Sequence, residues 1–230
     1  VRDNIRAAEL TALYPVTANV DILPGETGEA PENPPLVLAS DSLAGELAPE
    51  GRLSQLVDQY LEAARTPEVG YATCVALDPA LIDTVDRMQH GYTVDDERPA
   101  VVEEPKRLRD SWGSGAEPDG EPGAGANDAK VWLDKVRQIA ATGCVVALPW
   151  ANADLNAVAR TGDKWLMREA VERGPFVLQR VLGTAGTLNT VVTGAGYVED
   201  GTAPALGWAD HSRSTIMEEG MQASWERAMG

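Results

Sequence analysis

The chain has 230 residues, 43% of them apolar, and carries 19 Lys and Arg against 36 Asp and Glu, which gives a net charge of −17. A chain of this length and apolar content buries a sizeable core, which excludes a wholly disordered protein. The negative charge argues against nucleic acid and anionic lipid as partners, because both carry charge of the same sign.

The first third of the chain alternates predicted strands and helices. A strand is predicted at residues 10–16, an apolar helical stripe at 53–64 and a second strand at 71–77. Asp78 and Pro79 follow that strand directly, and they predict the start of a helix, because Asp is a favoured N-cap and Pro suits the first helical turn.

The middle of the chain changes composition. Residues 95–127 are acidic and rich in Gly and Pro, which predicts a mobile surface insert rather than a separate domain. Asn127 and Asp128 then predict the cap of a helix that ends at Gly143, and an apolar strand is predicted at 144–148.

The last third continues the same alternation. A helical stretch at 162–173 leads to a predicted strand at 176–182, a last strand at 188–193 and a C-terminal helix at 214–229. Short apolar strands that alternate with helices indicate a single α/β domain over residues 1–230 with mainly parallel strands. We expect the runs at 71–77, 144–148, 176–182 and 188–193 to lie side by side in one sheet and to point the same way.

About five strands are predicted, fewer than the eight that close a full β/α barrel. The fold class is therefore α/β with a partial or incomplete β/α barrel, and an open doubly wound sheet is the alternative. The sequence begins without Met, and we expect it to be a fragment of a longer protein. No apolar run approaches the roughly 20 residues that span a bilayer, and no export signal is visible, so we expect no membrane insertion by this chain itself.

The two cysteines, Cys74 and Cys144, fall in two of the predicted strands. If those strands are neighbours, the two sulfur atoms lie near one level of the sheet and can form a disulfide. A pair of buried thiols that act as small apolar side chains is the alternative, and the sequence leaves both open.

Candidate site residues follow the predicted strands. In parallel α/β folds ligands bind at the carboxyl ends of the strands, and this edge is expected to carry Asp78, Trp150, Asn152, Asp154 and Tyr197. Asp78 and Asp154 are the candidate catalytic pair, because glycoside hydrolysis uses two carboxylates about 5 Å apart for retention or about 6.5 to 9.5 Å apart for inversion. Trp150, Asn152 and Tyr197 are the candidate ligand contacts. Helix capping explains Asp78 and Asn152 equally well.

Metal and cofactor signatures are missing from the sequence. Its two histidines, His90 and His211, are far apart and lie in no ligand spacing. No phosphate-binding or dinucleotide-binding glycine loop is present, so we expect neither a metal nor a cofactor.

Six short segments occur in an order that resembles a known family. In single-letter code they are LYPVTA at 13–18, LPGETGEA at 23–30, DSLA at 41–44, LAPEGRL at 47–53, ALDPAL at 76–81 and VALPW at 146–150. Together they resemble a family of actinobacterial conserved envelope proteins of unknown function, whose genes often lie near that of the lipid II flippase MurJ.

The resemblance implies a secreted protein held by a C-terminal transmembrane helix, with a central module like the barrel of glycoside hydrolases and deacetylases. It implies an extracytoplasmic location in the cell envelope and brings no catalytic residues. The function we expect is a non-catalytic or degenerate barrel module in envelope assembly that binds a partner protein or a glycan. The alternative is a carbohydrate-active hydrolase that uses the paired carboxylates.

Overall fold

The computed structural model describes residues 10–23, 34–98, 120–188, 190–194 and 196–207, together with the backbone of a strand at 214–216. The strands are short, and in chain order they are β1 Ala12–Val16, β2 Val37–Leu38, β3 Thr73–Leu77, β4 Thr93–Val94, β5 Glu121–Pro122, β6 Cys144–Ala147, β7 Thr190–Val192 and β8 Ser214–Ile216. The helices are α1 Ser42–Leu47, α2 Arg52–Ala63, α3 Pro67–Ala72, α4 Pro79–Met88, α5 Ala126–Thr142, α6 Leu155–Thr161, α7 Lys164–Leu182 and α8 Thr202–Leu206, with a 3-10 turn at Trp150–Asn152. None of the helices in this described part is long and apolar enough to cross a membrane.

Three parallel strands form the central sheet in the order β1-β3-β6. In the middle strand, Ala76 lies opposite Pro15 on one side and Val146 on the other. Pro15 is tolerated because β1 is an outer strand of this sheet, where a missing N–H breaks no ladder in the interior. Helices lie between the strands in sequence, so each parallel pair is joined by a helical crossover. The predicted α/β class and the parallel pairing of the runs at 71–77 and 144–148 are confirmed.

The prediction that four apolar runs lie side by side in one sheet is wrong. Residues 176–182 are the second half of α7, and their buried side chains Val177, Leu178 and Val181 follow helical spacing. The helix continues through Pro175. β7 lies within the predicted run at 188–193, but it pairs in parallel with β8 in a separate sheet.

The predicted C-terminal helix at 214–229 is wrong at its start, because β8 lies there. The rest of that range lies outside the described residues. The described strands form no closed barrel.

The predicted insert at 95–127 has defined structure at both of its ends. β4 ends immediately before it and pairs in antiparallel orientation with β5, which lies inside it, and α5 begins at Ala126, ahead of the predicted caps. The Tyr92 hydroxyl donates to the carboxylate of Asp41 and accepts from the Gly125 amide at 3.0 Å. Burial, with Asp41 beside it, raises the pKa of Tyr92 to about 12. The structureless range was therefore predicted too wide, and residues 99–119 lie outside the described part.

The main core lies between the central sheet and the helices around it. Trp132 of α5 is fully buried, and its indole Nε1 donates to the Leu53 carbonyl at 3.1 Å, which satisfies its one polar atom. A smaller apolar cluster, which includes Leu155, Met167 and Val191, joins α6, α7, β7 and α8. Each large side chain buried in these clusters contributes about 1.5 to 3 kcal/mol relative to leaving it in water.

A disulfide joins Cys74 of β3 to Cys144 of β6. The two residues are register partners in the parallel ladder, and their Cα atoms are 4.5 Å apart, within the range that a disulfide spans. The sequence left open a disulfide or two buried free thiols, and the structure has the disulfide. It ties the two strands together near their amino ends.

Candidate ligand-binding site

A polar pocket of about 340 Å³ opens at the carboxyl end of the central sheet. Its lining comes from the segment after β1, from α1, from the start of α2 and from the turn after β6, and the residues are Thr17, Ala18, Asn19, Glu46, Arg52, Ala151 and Asn152. Because β1 and β6 flank β3 and run the same way, their carboxyl ends meet at one edge, where parallel α/β folds bind ligands.

The charged side chains of the pocket are paired with each other. The guanidinium of Arg52 contacts the carboxylate of Glu46 and donates to the Thr17 carbonyl at 2.9 Å. Its side chain is still half exposed, at 51%. The lining therefore offers hydrogen-bond donors and acceptors while its net formal charge is zero.

The turn after β6 presents Asn152 to the pocket in an uncommon backbone conformation. Ala151 has a φ of 53° and Asn152 a φ of 50°, both in the left-handed region. Asn tolerates this region better than most residues, whereas Ala pays a steric cost there. The guanidinium carbon of Arg173 lies 4.0 Å from the ring centroid of Trp150, so α7 holds the first residue of the turn through a cation–π contact.

Asp78 lies behind the turn and is only 3% exposed. Its Oδ1 accepts from the Ala80 amide at 2.9 Å, which makes it the N-cap of α4. Burial raises the pKa of this carboxyl group, while interactions with the amides of Ala80, Leu81 and Ala151 oppose the shift. Asp78 therefore supports the helix and the turn from below and does not line the pocket.

Asp154 has the same role at the start of α6. It is exposed, and its Oδ1 accepts from the Asn156 amide at 2.9 Å, which caps α6. The two candidate catalytic carboxylates are thus both helix caps, and Asp154 does not line the pocket either.

Tyr197 follows β7 and lies outside the pocket lining. Its carbonyl accepts from Asn156 Nδ2 at 3.2 Å, and Asn156 Oδ1 accepts in turn from the Glu199 amide at 3.0 Å and the Thr202 hydroxyl at 2.8 Å. This buried carboxamide fixes the loop, and the Tyr197 side chain is left 51% exposed.

Of the predicted site residues, the structure brings Asn152 into the pocket, with Trp150 and Asp78 as its supports. Sequence reasoning missed Thr17, Asn19, Glu46 and Arg52. The end of the strand predicted at 10–16 was the available signal for the first two, because the same rule on strand ends applies to it. Glu46 and Arg52 reach the edge through the packing of α1 and α2, which no local pattern reports.

No family model matches this chain, and no curated protein is significantly similar to it. The described residues also contain no group of three His, Cys, Asp or Glu side chains placed to hold a metal ion.

Proposed function

We propose that this chain is a non-catalytic, barrel-derived module of the cell envelope that binds a glycan in the polar pocket. The observation that carries the proposal is the lining itself, which places carboxamide, hydroxyl, guanidinium and carboxylate groups around one cavity at the strand ends. A sugar hydroxyl both donates and accepts hydrogen bonds, and this set of groups supplies partners for both roles.

The positions of the carboxylates favour binding over hydrolysis. A glycoside hydrolase needs two carboxyl groups that face one sugar across a cleft. Asp78 is buried and accepts from an amide of α4, and Asp154 caps α6. We therefore prefer the binding module to the hydrolase alternative.

The disulfide supports the envelope location. Disulfides persist in oxidising compartments and are rare in the cytosol of mesophiles, and Cys74 and Cys144 are bridged. An extracytoplasmic site, with an envelope glycan or an envelope protein as partner, agrees with this and with the family resemblance.

The segment before β7 supports the assignment to an incomplete β/α barrel. The Thr187 amide donates to the Val145 carbonyl at 2.8 Å, so the chain continues along the outer side of β6 before it enters β7. A barrel that continues past β6 requires a neighbour at this position.

The test is binding of the purified chain to peptidoglycan fragments and to neutral polysaccharide fragments, measured by calorimetry. The informative variant is Asn152→Gly, which removes the carboxamide and keeps a residue that accepts positive φ. We expect its affinity to fall about 2- to 12-fold, the value of one hydrogen bond. Asn127→Ala, at an exposed position on α5, is the matched control and should bind like the wild type.

Unchanged binding by both Asn152→Gly and Arg52→Gln would contradict the proposed site. Release of reducing ends by the wild type, lost in Asp78→Asn, would favour the hydrolase alternative.

A further inference from the structure

A second pocket lies at the opposite, amino-terminal end of the central sheet. It has a volume of about 270 Å³ and lies between the α2–α3 segment and the end of α5, and its lining residues are Tyr60, Leu61, Ala64, Pro67, Gly70, Tyr71, Ile139, Thr142 and Gly143. None of these lining side chains is charged, although the chain carries a net charge of −17. The pocket is therefore suited to an uncharged ligand.

Tyr60 supplies a buried hydroxyl without a hydrogen-bond partner among the described residues. The residue is 6% exposed, and a Cβ atom at Gly143 would lie 3.4 Å from its hydroxyl, which places this oxygen at the pocket wall. The ring is held against that of Tyr14, with centroids 5.6 Å apart. The Tyr14 hydroxyl donates to the Leu56 carbonyl at 3.1 Å, so of these two adjacent tyrosines Tyr14 has a hydrogen-bond partner for its hydroxyl and Tyr60 has none among the described residues.

A hydroxyl without a protein partner at a pocket wall is left to hydrogen-bond with water or with a ligand that enters the pocket. Burial raises the pKa of Tyr60, so at neutral pH its hydroxyl keeps its proton and is a donor as well as an acceptor. A ligand atom in the pocket would satisfy it.

We propose that this pocket binds a phenol group, with the phenol oxygen hydrogen-bonded to the Tyr60 hydroxyl. The aliphatic walls formed by Leu61, Pro67 and Ile139 suit an aromatic ring, and the volume exceeds the roughly 150 Å³ of a cavity that takes benzene. A sugar presents more hydroxyls than the side chains of Tyr60, Tyr71 and Thr142 can satisfy. The phenol is either a free small molecule or the side chain of a tyrosine in a partner peptide.

The test compares p-cresol with toluene, which differ only in the hydroxyl, by titration of the isotopically labelled protein in NMR. The glycine amides of Gly70 and Gly143 report on the pocket from its two sides. We expect p-cresol to shift both signals saturably and to bind about 2- to 12-fold more tightly than toluene, as one hydrogen bond allows. N-acetyltyrosine amide against N-acetylphenylalanine amide forms the second arm, and it distinguishes a peptide ligand from a free phenol.

Tyr60→Phe keeps the ring and removes the hydroxyl, so it should abolish the preference for p-cresol. Tyr14→Phe is the matched control, because it removes a neighbouring hydroxyl that does not line the pocket, and it should keep the preference. The proposal fails if the wild type binds p-cresol and toluene equally, if Tyr60→Phe keeps the preference, or if neither glycine signal moves.

Discussion

Reduction of the bridge between Cys74 and Cys144 is expected to destabilise the protein strongly. The two cysteines are separated by 70 residues along the chain. In the chain-entropy model a closed loop of that length removes about 15 cal/mol/K from the unfolded ensemble, which is about 4 kcal/mol at 25 °C. The strands that carry the two cysteines are also paired through their backbone ladder. Most of the loss of stability on reduction is therefore expected to come from the greater entropy of the unfolded chain.

The assay is urea and thermal unfolding of the oxidised and the reduced protein, followed by far-ultraviolet circular dichroism. We expect the free energy of unfolding to fall by about 4 kcal/mol and the melting temperature to fall by roughly 10 °C, given 2 to 4 °C per kcal/mol for a chain of this size. The double variant Cys74→Ala, Cys144→Ala should resemble the reduced wild type and should not respond to reductant. A loss below about 1 kcal/mol on reduction would refute the loop-entropy reasoning.

Two further predictions concern α4 and α7. Asp78→Asn should keep the N-cap bond to Ala80 and be at least as stable as the wild type at pH 7, whereas Asp78→Ala should lose about 1 kcal/mol in urea unfolding. Because burial raises the pKa of Asp78, the folded state binds the proton of this carboxyl group more tightly than the unfolded state does. The free energy of unfolding of the wild type should therefore rise relative to that of the Asn variant as the pH falls from 7 towards the pKa of Asp78 in the unfolded chain. A fall in this difference over the same pH range would contradict the prediction. Gly174→Ala should lower the free energy of unfolding by about 1 to 3 kcal/mol, because the new Cβ would lie 2.9 Å from Pro79 Cγ. Gly201→Ala is the control, because a Cβ there meets nothing within 4 Å. Equal stability of the two variants would show that the packing around Gly174 relaxes.

The central sheet was predictable because its signals are local. The runs at 71–77 and 144–148 are apolar, and each is followed by turn or capping residues, so their strands and their common direction follow from the sequence. The disulfide between Cys74 and Cys144 stayed one of two alternatives, because it depends on the register of the two strands, which the structure supplies. Helix α4 was predictable for the same reason, since Asp78 and Pro79 mark its start.

The error at 176–182 has a specific cause. Val177, Leu178 and Val181 fit a helical stripe and a strand about equally well over so short a run, and the proline just before the run is a residue that helix interiors disfavour. The structure places Gly174 against Pro79 and the Leu148 carbonyl, where the absence of a side chain allows α7 to approach the sheet closely. That tertiary contact keeps the helix in place through Pro175, and it could not be read from the local sequence.

The candidate site was only partly predictable, because some of its residues follow strands of the central sheet and others belong to helices. Asn152 follows a strand, and the rule on strand ends identifies it. Arg52 and Glu46 come from α2 and α1, and they meet only because those helices pack together. Prediction from the sequence therefore finds the residues carried by the sheet and misses those carried by the helices above it.

The left-handed turn gives a second reason, beside the pocket lining, to propose a ligand site at the carboxyl end of the sheet. A non-glycine residue in this region costs of order 1 to 3 kcal/mol and persists only where its surroundings hold it. Here the supports are the buried Asp78 beneath Ala151 and the guanidinium of Arg173 on Trp150. Both act on the turn that presents the Asn152 carboxamide to the pocket, and a relaxed turn would place that side chain elsewhere. A ligand site requires its side chains to be held in fixed positions, and the strained turn holds the Asn152 carboxamide at the pocket in this way.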